Sequence, residues 1–89
     1  MTSEEHMDGN AIAGDLREFF GIEMTKHSGS CAGCGAVNLL AEVRVYRSGP
    51  GAVARCPNCE QVLIVVVTRP GSIRVGIEKM RWLEVATQS

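Results

Sequence analysis

The segments CAGCG (residues 31–35) and CPNCE (residues 56–60) contain all four cysteines of the 89-residue chain. Each segment has the spacing Cys-x2-Cys, and the 21 residues 35–55 separate the two pairs. Two intervening residues let one tight turn present both sulfurs to the same ion. Two such turns supply the four thiolates of a tetrahedral site. The predicted metal ligands are Cys31, Cys34, Cys56 and Cys59.

The residues around the cysteines suit turns and indicate a metal. Gly35 fits the left-handed conformation that completes such a turn, Pro57 fixes its own φ, and Asn58 tolerates turn geometry. Tetrahedral sulfur sites bind zinc or iron, and the order CxxCG then CPxC resembles rubredoxin, an iron electron carrier. A rubredoxin-like chain would carry glycine where Glu60 stands. We therefore predict Zn²⁺ as the cofactor, with iron as the alternative.

The rest of the sequence favours metal ligation over disulfides. No apolar run reaches the ~18 residues of a membrane span, and no signal peptide is visible, so we expect a cytoplasmic protein. Paired cysteines in that compartment are typically metal ligands. Unligated thiols and one or two disulfides are the alternatives. Thioredoxin-type redox chemistry needs a Cys-x2-Cys pair at a helix N-terminus in a longer βαβ unit, a context that neither pair has.

Chain length and composition predict one small domain. A chain of 89 residues has a marginal core that a bound metal would stabilise. Apolar residues make up 45% of the chain and aromatic residues only 4%, so Val, Ile and Leu must form the core, which favours strands. We predict a disordered N-terminus at 1–7 and one domain at 8–89, with a helix at about 10–20 and a ribbon at about 29–85.

Helical periodicity is confined to the N-terminal part of the chain. Asp8 or Asn10 can cap the predicted helix, and Gly21 can end it in the left-handed conformation. The apolar residues on its one predicted face are Ile12, Leu16, Phe19 and Phe20.

Alternating apolar and polar residues predict strands after the helix. The turn SGPG (48–51) separates two of them, so a hairpin would deliver the second cysteine pair. HSGS (27–30) is predicted to be a loop, and 79–85 a strand or a short helical turn. The predicted strands are 22–25, 40–46, 52–55, 61–68 and 72–77.

The cysteine pairs on hairpins resemble the zinc ribbon class. More closely, a family of short uncharacterised actinobacterial proteins, a domain of unknown function with a zinc-ribbon-like core, is similar to this chain over residues 8–85. The resemblance is carried by DGNAIAGDLREFFGIEMT (8–25), CAGCG, RVY (44–46), the Gly-Pro-Gly turn and RCPNC (55–59). It implies a small α+β metal-stapled domain, a zinc ribbon with antiparallel β-hairpins and an N-terminal α-helix, and it implies no activity.

Other candidate site residues have simpler interpretations. His6 and His27 are predicted to be solvated rather than ligands, because four cysteines already fill a tetrahedral site. Asp15, Glu18 and Glu23 are predicted to lie on a solvated face rather than to act as an acid–base pair. Four protein ligands leave no open metal position, and no catalytic serine set or phosphate-binding loop occurs, so we predict that the protein is not an enzyme.

The function class follows from charge and exposed apolar residues. A net charge of −1 argues against strong general affinity for nucleic acid. The arginines that could nevertheless contact it are Arg44, Arg47, Arg55, Arg69, Arg74 and Arg81. Phe19 and Phe20 could cover the sheet or bind a partner, and Val62–Val67 could pair internally or with a second copy. We predict a non-enzymatic protein-interaction or accessory module; the alternatives are a nucleic-acid-binding zinc ribbon and a rubredoxin-like iron electron carrier.

Overall fold

The computed structural model describes residues 6–87, which form a small α+β protein with two antiparallel sheets and one short α-helix. A 3-10 helix, Gly9–Ile12, leads directly into the α-helix α1, Ala13–Phe20. Further 3-10 turns lie at Met24–Lys26 and Leu40–Glu42. The strands are β1 Ser28–Cys31, β2 Val37–Leu39, β3 Arg44–Ser48, β4 Gly51–Arg55, β5 Val62–Arg69, β6 Ser72–Ile77 and β7 Met80–Glu84.

The two sheets meet near the cysteines. One sheet has the strand order β2-β1-β7, and the other has the order β3-β4-β5-β6. Cys31 is the last residue of β1, and Cys56 directly follows β4. Lys79 links the sheets, because its N–H donates to Val62 O at 3.0 Å and its carbonyl accepts from Ala32 N at 2.8 Å. One cysteine pair therefore adjoins each sheet.

The core lies between the helical segment and the four-stranded sheet. Val45, Ala54 and Ile64 are cross-strand neighbours on one face of that sheet, and all three are buried. Ile12 and Leu16 are buried in the same cluster. Burial of an Ile or Leu side chain stabilises a fold by about 1.5–3 kcal/mol, so these contacts hold the helix on the sheet.

The predicted N-terminal helix is confirmed, with a later α-helical start. The Asp8 carboxylate accepts a hydrogen bond from Asn10 N at 3.0 Å, and Gly21 ends α1 with a φ of 82°. Met7 exchanges two backbone hydrogen bonds with Val45, so ordered pairing begins one residue before the predicted start. The disorder predicted for residues 1–5 lies outside the described residues.

The predicted apolar face of the helix divides into two parts. Ile12 and Leu16 are 1% and 0% exposed, whereas Phe19 and Phe20 are 48% and 37% exposed. The two phenylalanine rings pack edge to face with centroids 5.0 Å apart. The first half of this face therefore covers the sheet, and the second half remains at the surface.

Two secondary-structure predictions near the first cysteine pair are wrong. The expected strand at 22–25 is replaced by the 3-10 turn Met24–Lys26, and the expected loop at 27–30 contributes to β1, the central strand of its sheet. Small residues suit β1 because β7 crowds it. A Cβ on Gly29 would lie 2.1 Å from Met80 Cε.

The other strand predictions need smaller changes. The strand expected at 40–46 begins at Arg44, since a 3-10 turn occupies Leu40–Glu42 and the Glu42 carboxylate accepts from Leu39 N at 3.1 Å. The predicted hairpin before the second cysteine pair is confirmed as β3 and β4. The segment 79–85 contains a strand, β7, rather than a helical turn.

Strand β5 lies inside its sheet, paired with β4 on one edge and β6 on the other. Leu63, Ile64 and Val66 are buried, whereas Val62 and Val65 are half-buried. A second copy would therefore have to contact the face of β5 rather than its edge. Among the described residues, no helix has both the length and the apolar character needed to cross a membrane.

Candidate metal centre

The first cysteine turn, residues 31–36, closes the end of β1, and we name it the first knuckle. Cys31 N donates to Ala36 O at 2.9 Å, and Gly35 N donates to Cys31 O at 2.9 Å. Gly33 N donates to Cys31 Sγ at 3.3 Å. Gly35 has a φ of 79°, which confirms the predicted left-handed glycine. The backbone thus turns around the sulfur and points a donor at it.

The second cysteine turn, residues 56–61, has the same bonds at equivalent positions, and we name it the second knuckle. Cys56 N donates to Gln61 O, and Glu60 N donates to Cys56 O, both at 2.9 Å. Asn58 N donates to Cys56 Sγ at 3.3 Å. Each knuckle therefore points one backbone N–H at the sulfur of its first cysteine.

The two knuckles bring all four sulfurs together. The four Sγ atoms lie within 4.8 Å of one another. Cys31 Sγ is 3.5 Å from Cys59 Sγ, and Cys34 Sγ is 3.7 Å from Cys56 Sγ. An ion bonded to four sulfurs at about 2.3 Å places them about 3.8 Å apart, so this cluster could hold a metal. The same distances far exceed a sulfur–sulfur bond of about 2.05 Å, and all four cysteines are free thiols.

Asn58 links the second knuckle to a sulfur of the first. Its Nδ2 donates to Cys34 Sγ at 3.3 Å. This side-chain bond, followed by the backbone N–H of Ala36, lowers the pKa of the exposed Cys34 thiol from 9.0 to about 6. In the metal-free site, Cys34 is therefore the cysteine prepared to meet a cation as a thiolate near neutral pH.

Cys59 has the opposite electrostatic environment. The backbone N–H of Gln61 lowers the pKa of the Cys59 thiol, but desolvation and the three neighbouring cysteines together raise it by more. The net result is a rise from 9.0 to about 12. Four sulfurs at contact distance cannot all ionise without a cation between them, because thiolates repel one another. A bound metal ion would remove that repulsion and release the thiol protons.

Glu60 holds the strained corner of the second knuckle. It has a φ of 69°, the one left-handed non-glycine conformation among the described residues. Its carboxylate pairs with the Arg44 guanidinium, and its carbonyl accepts from Arg55 Nη1 at 2.8 Å. The sequence shows that this position is not glycine. It does not reveal the two arginine contacts, because Arg44 and Arg55 lie in β3 and β4 and reach Glu60 only in the folded hairpin.

The other sequence candidates lie apart from the sulfur cluster. His27 is buried, and its Nδ1 accepts from Ala86 N at 3.2 Å, so the prediction of a solvated residue is wrong. His6 packs beside Tyr46, with ring centroids 5.7 Å apart. Asp15 accepts from Arg47 at 3.2 Å. Among the described residues, the group that could hold a metal consists of the four cysteines alone.

Comparison with known proteins identifies a family and no activity. The profile of a family of unknown function, DUF6510, matches residues 3–88. No curated protein and no solved structure gives a significant match. The expected membership of a family of unknown function is confirmed, while zinc-ribbon character and actinobacterial origin stay predictions. The chain belongs to the DUF6510 family.

Proposed function

We propose that Cys31, Cys34, Cys56 and Cys59 hold a structural zinc ion and that the protein is a zinc ribbon. The observation that carries this proposal is the position of the cysteine pairs. Cys31 ends β1 of one sheet and Cys56 follows β4 of the other, yet all four sulfurs lie within 4.8 Å. An ion here would cross-link the two sheets, and its binding free energy would become folding free energy.

Zinc is proposed over iron because of what surrounds the sulfurs. The cavity beside Cys59 has a volume of about 520 Å³, and the described residues that line it are charged, polar or aliphatic, with none aromatic. Cys34 and Cys59 are exposed to solvent. The hydrophobic shell that controls solvent access and tunes an electron-transfer centre is therefore thin on this side. Zinc has no redox chemistry and places no such demand on its surroundings.

The proposed role is a non-enzymatic protein-interaction or accessory module. Four thiolates complete a tetrahedral site, so the ion would have no position left for a reacting water. An apolar surface is available instead on the three-stranded sheet. Val37, Ser30 and Trp82 lie side by side across that sheet, and Val37 and Trp82 are 57% and 41% exposed. Exposed apolar groups of this kind commonly bind proteins.

Nucleic-acid binding is less well supported, because three of the candidate arginines already have partners. Arg44 pairs with the Glu60 carboxylate, and Arg55 donates to the Glu60 carbonyl. Arg47 donates to Ala11 O at 2.7 Å and to Asp15. A groove that follows a phosphate backbone needs free cationic groups and stacking aromatics. We therefore place the protein-interaction role first.

The test of the metal is loading under competition. The chain is expressed in minimal medium with equal zinc and iron, and the purified protein is analysed for metal content and visible absorption. We expect one zinc per chain and a colourless protein whose melting temperature falls when a chelator removes the ion. A red protein with a reversible one-electron couple would show that the site holds iron and would contradict the proposed zinc.

The interaction role is tested separately with a surface variant. The double variant Val37→Ser, Trp82→Ser should bind zinc and fold like the unchanged chain. It should no longer capture the proteins that the unchanged chain captures from native cells. Phe19→Ser, which changes an exposed side chain elsewhere, is the matched control. If both variants capture the same proteins in equal amounts, the three-stranded sheet is not the interaction surface.

A further inference from the structure

The four-stranded sheet has two edge strands, and the described residues cover only one of them. At the β3 edge, Met7 exchanges two backbone hydrogen bonds with Val45. At the other edge, β6 pairs with β5 on its inner side, and no described residue pairs with its outer side. β6 has no proline, lysine or register shift, features with which proteins commonly protect an exposed strand edge. It is therefore the edge of this sheet that is open to another strand.

The pairing of β6 with β5 determines which backbone groups point to this open side. Glu78, the residue that follows β6, donates its N–H to Leu63 O at 2.8 Å. Hydrogen-bonded and non-hydrogen-bonded pairs alternate along an antiparallel ladder, so Gly76 and Arg74 also bond toward β5. The residues between them direct their backbone groups outward. The residues whose N–H and C=O groups face the open side are Ile73, Val75 and Ile77.

These outward-facing residues also carry the apolar side chains of β6. Val75 lies opposite Val66, and both side chains are on the face that β5 buries in the core. Ile77 lies opposite the buried Ile64, yet it is 43% exposed because no strand follows β6 in the sheet. When two β6 strands run antiparallel with Val75 opposite Val75, Ile73 of each copy lies opposite Ile77 of the other. This pairing would extend the apolar face across the edge.

The charged side chains on the opposite face of β6 complement each other in the same register. Arg74 of one copy lies opposite Gly76 of the other. The Glu78 side chain already lies over Gly76, since a Cβ at Gly76 would be 3.2 Å from Glu78 Oε2. The carboxylate of each copy would therefore meet the Arg74 guanidinium of the other, and two-fold symmetry makes this contact twice. Within residues 6–87, neither Arg74 nor Glu78 has an ion-pair partner.

We propose that β6 is a self-association surface and that two copies of the chain pair through antiparallel β6 strands about Val75. The two four-stranded sheets become one continuous sheet of eight strands. The dimer is closed, because both copies use the same edge and leave no β6 edge open for a third copy. This surface lies apart from Val37 and Trp82 of the three-stranded sheet and contains no cysteine, so it is independent of the proposed metal and of the proposed protein-interaction role.

The test is sedimentation of the metal-loaded full chain over a range of protein concentrations, where we expect a monomer–dimer equilibrium. Arg74→Glu should weaken the dimer by about tenfold, since it replaces two ion pairs with two like-charge contacts. Adding Glu78→Arg to that variant should restore the dimer, because opposite charges then face each other again. Arg17→Glu, the same change at an exposed arginine of α1, is the matched control and should dimerise like the unchanged chain.

Three results would overturn the proposal: a monomer at every concentration, a dimer that Arg74→Glu leaves unchanged, or a double variant that dimerises no better than Arg74→Glu alone. A second measurement uses the unchanged chain and does not depend on how the variants fold. Hydrogen exchange at the amides of Ile73, Val75 and Ile77 should slow in proportion to the fraction of dimer as the protein concentration rises. Exchange at these amides that does not change with concentration would also contradict the β6 dimer.

Discussion

The two knuckles have the same backbone hydrogen bonds, but they stabilise the left-handed conformation of their fifth residue in different ways. At the fifth position, the first knuckle has Gly35 with a φ of 79°, and the second has Glu60 with a φ of 69°. Glycine adopts this conformation with little strain, whereas another L-residue pays about 1–2 kcal/mol. Arg44 and Arg55 bind the side chain and carbonyl of Glu60 and offset that cost. The left-handed conformation of the first knuckle is possible because Gly35 has no side chain. In the second knuckle, the contacts of Glu60 with Arg44 and Arg55 stabilise it.

The third position of each knuckle differs in a second way. Asn58 of the second knuckle donates its side-chain N–H to Cys34 of the first. Its counterpart Gly33 has no side chain to donate to Cys59, and a Cβ there would lie 2.8 Å from Gln61 Cγ. The pKa of Cys34 is lowered to about 6 and that of Cys59 is raised to about 12. The Asn58 bond is the largest cause of the lowered pKa of Cys34, whereas desolvation and the neighbouring cysteines raise the pKa of Cys59.

The largest expected effect is loss of a buried sulfur, which tests whether the two knuckles are equally necessary. Cys31→Ser and Cys56→Ser should each lose stoichiometric zinc. Each should destabilise the fold by about 3 kcal/mol, roughly a quarter of the apparent free energy of structural zinc binding. For a chain of this size, the melting temperature then falls by roughly 12–24 °C.

Metal analysis and thermal unfolding of both variants check this expectation. Thr25→Ser, a conservative change at another buried polar position, controls for the mere perturbation of a buried site. A cysteine variant that keeps both its native fold and its melting temperature without metal would contradict the structural role of the ion.

Backbone strain at the fifth position should give an intermediate effect. Gly35→Ala should cost about 1–2 kcal/mol, since the left-handed conformation disfavours a side chain. A Cβ at this site meets nothing within 4 Å, so the loss measures conformation alone. Glu60→Gly should be more stable than Glu60→Ala by a similar amount, because both lose the Arg44 pair and only glycine relieves the strain.

Chemical denaturation of the zinc-loaded proteins gives these differences. The comparison between Glu60→Gly and Glu60→Ala removes the contribution of the exposed ion pair, which is about 0–1 kcal/mol. Equal stability of those two variants would show that the left-handed conformation at position 60 does not destabilise the second knuckle.

The smallest expected effect concerns reactivity rather than folding. Asn58→Ala should raise the pKa of Cys34 from about 6 toward 9.0, because it removes the largest stabilising contact of the thiolate. Alkylation of Cys34 at pH 7 in the metal-free protein should then slow by about tenfold, since the thiolate is the reactive form. Mass spectrometry of the Cys34 peptide measures the rate, with Asn38→Ala as the matched control.

The same contact gives a signed pH dependence. The folded-state pKa of Cys34 is depressed below 9.0, so its contribution to metal-free stability is fully present above pH 9.0 and is lost as pH falls toward about 6. Stability of the metal-free protein should therefore rise between these pH values, and less steeply in Asn58→Ala. An unchanged slope would show that Asn58 does not control the Cys34 thiol.

Local sequence signals predicted part of this structure well. The spacing of Cys31 and Cys34 specifies a turn, Asp8 caps the helical segment, and Gly21 ends α1, all through contacts within a few residues. The tract 27–30 differs from its local prediction because contacts with distant strands determine its structure. Serine and glycine indicate a loop locally, but they form a central strand because β2 and β7 pair with this segment on both edges.

The four candidate ligands, the hairpin between the cysteine pairs and the helix with its caps are predictable from the sequence, because short-range geometry and hydrophobic period encode them. Only the tertiary structure placed Arg44 and Arg55 on Glu60, Asn58 on Cys34, and Ala86 on His27. These contacts join residues separated by 5 to 59 positions. Their existence depends on strand pairing and on how the two sheets meet, which no local pattern specifies.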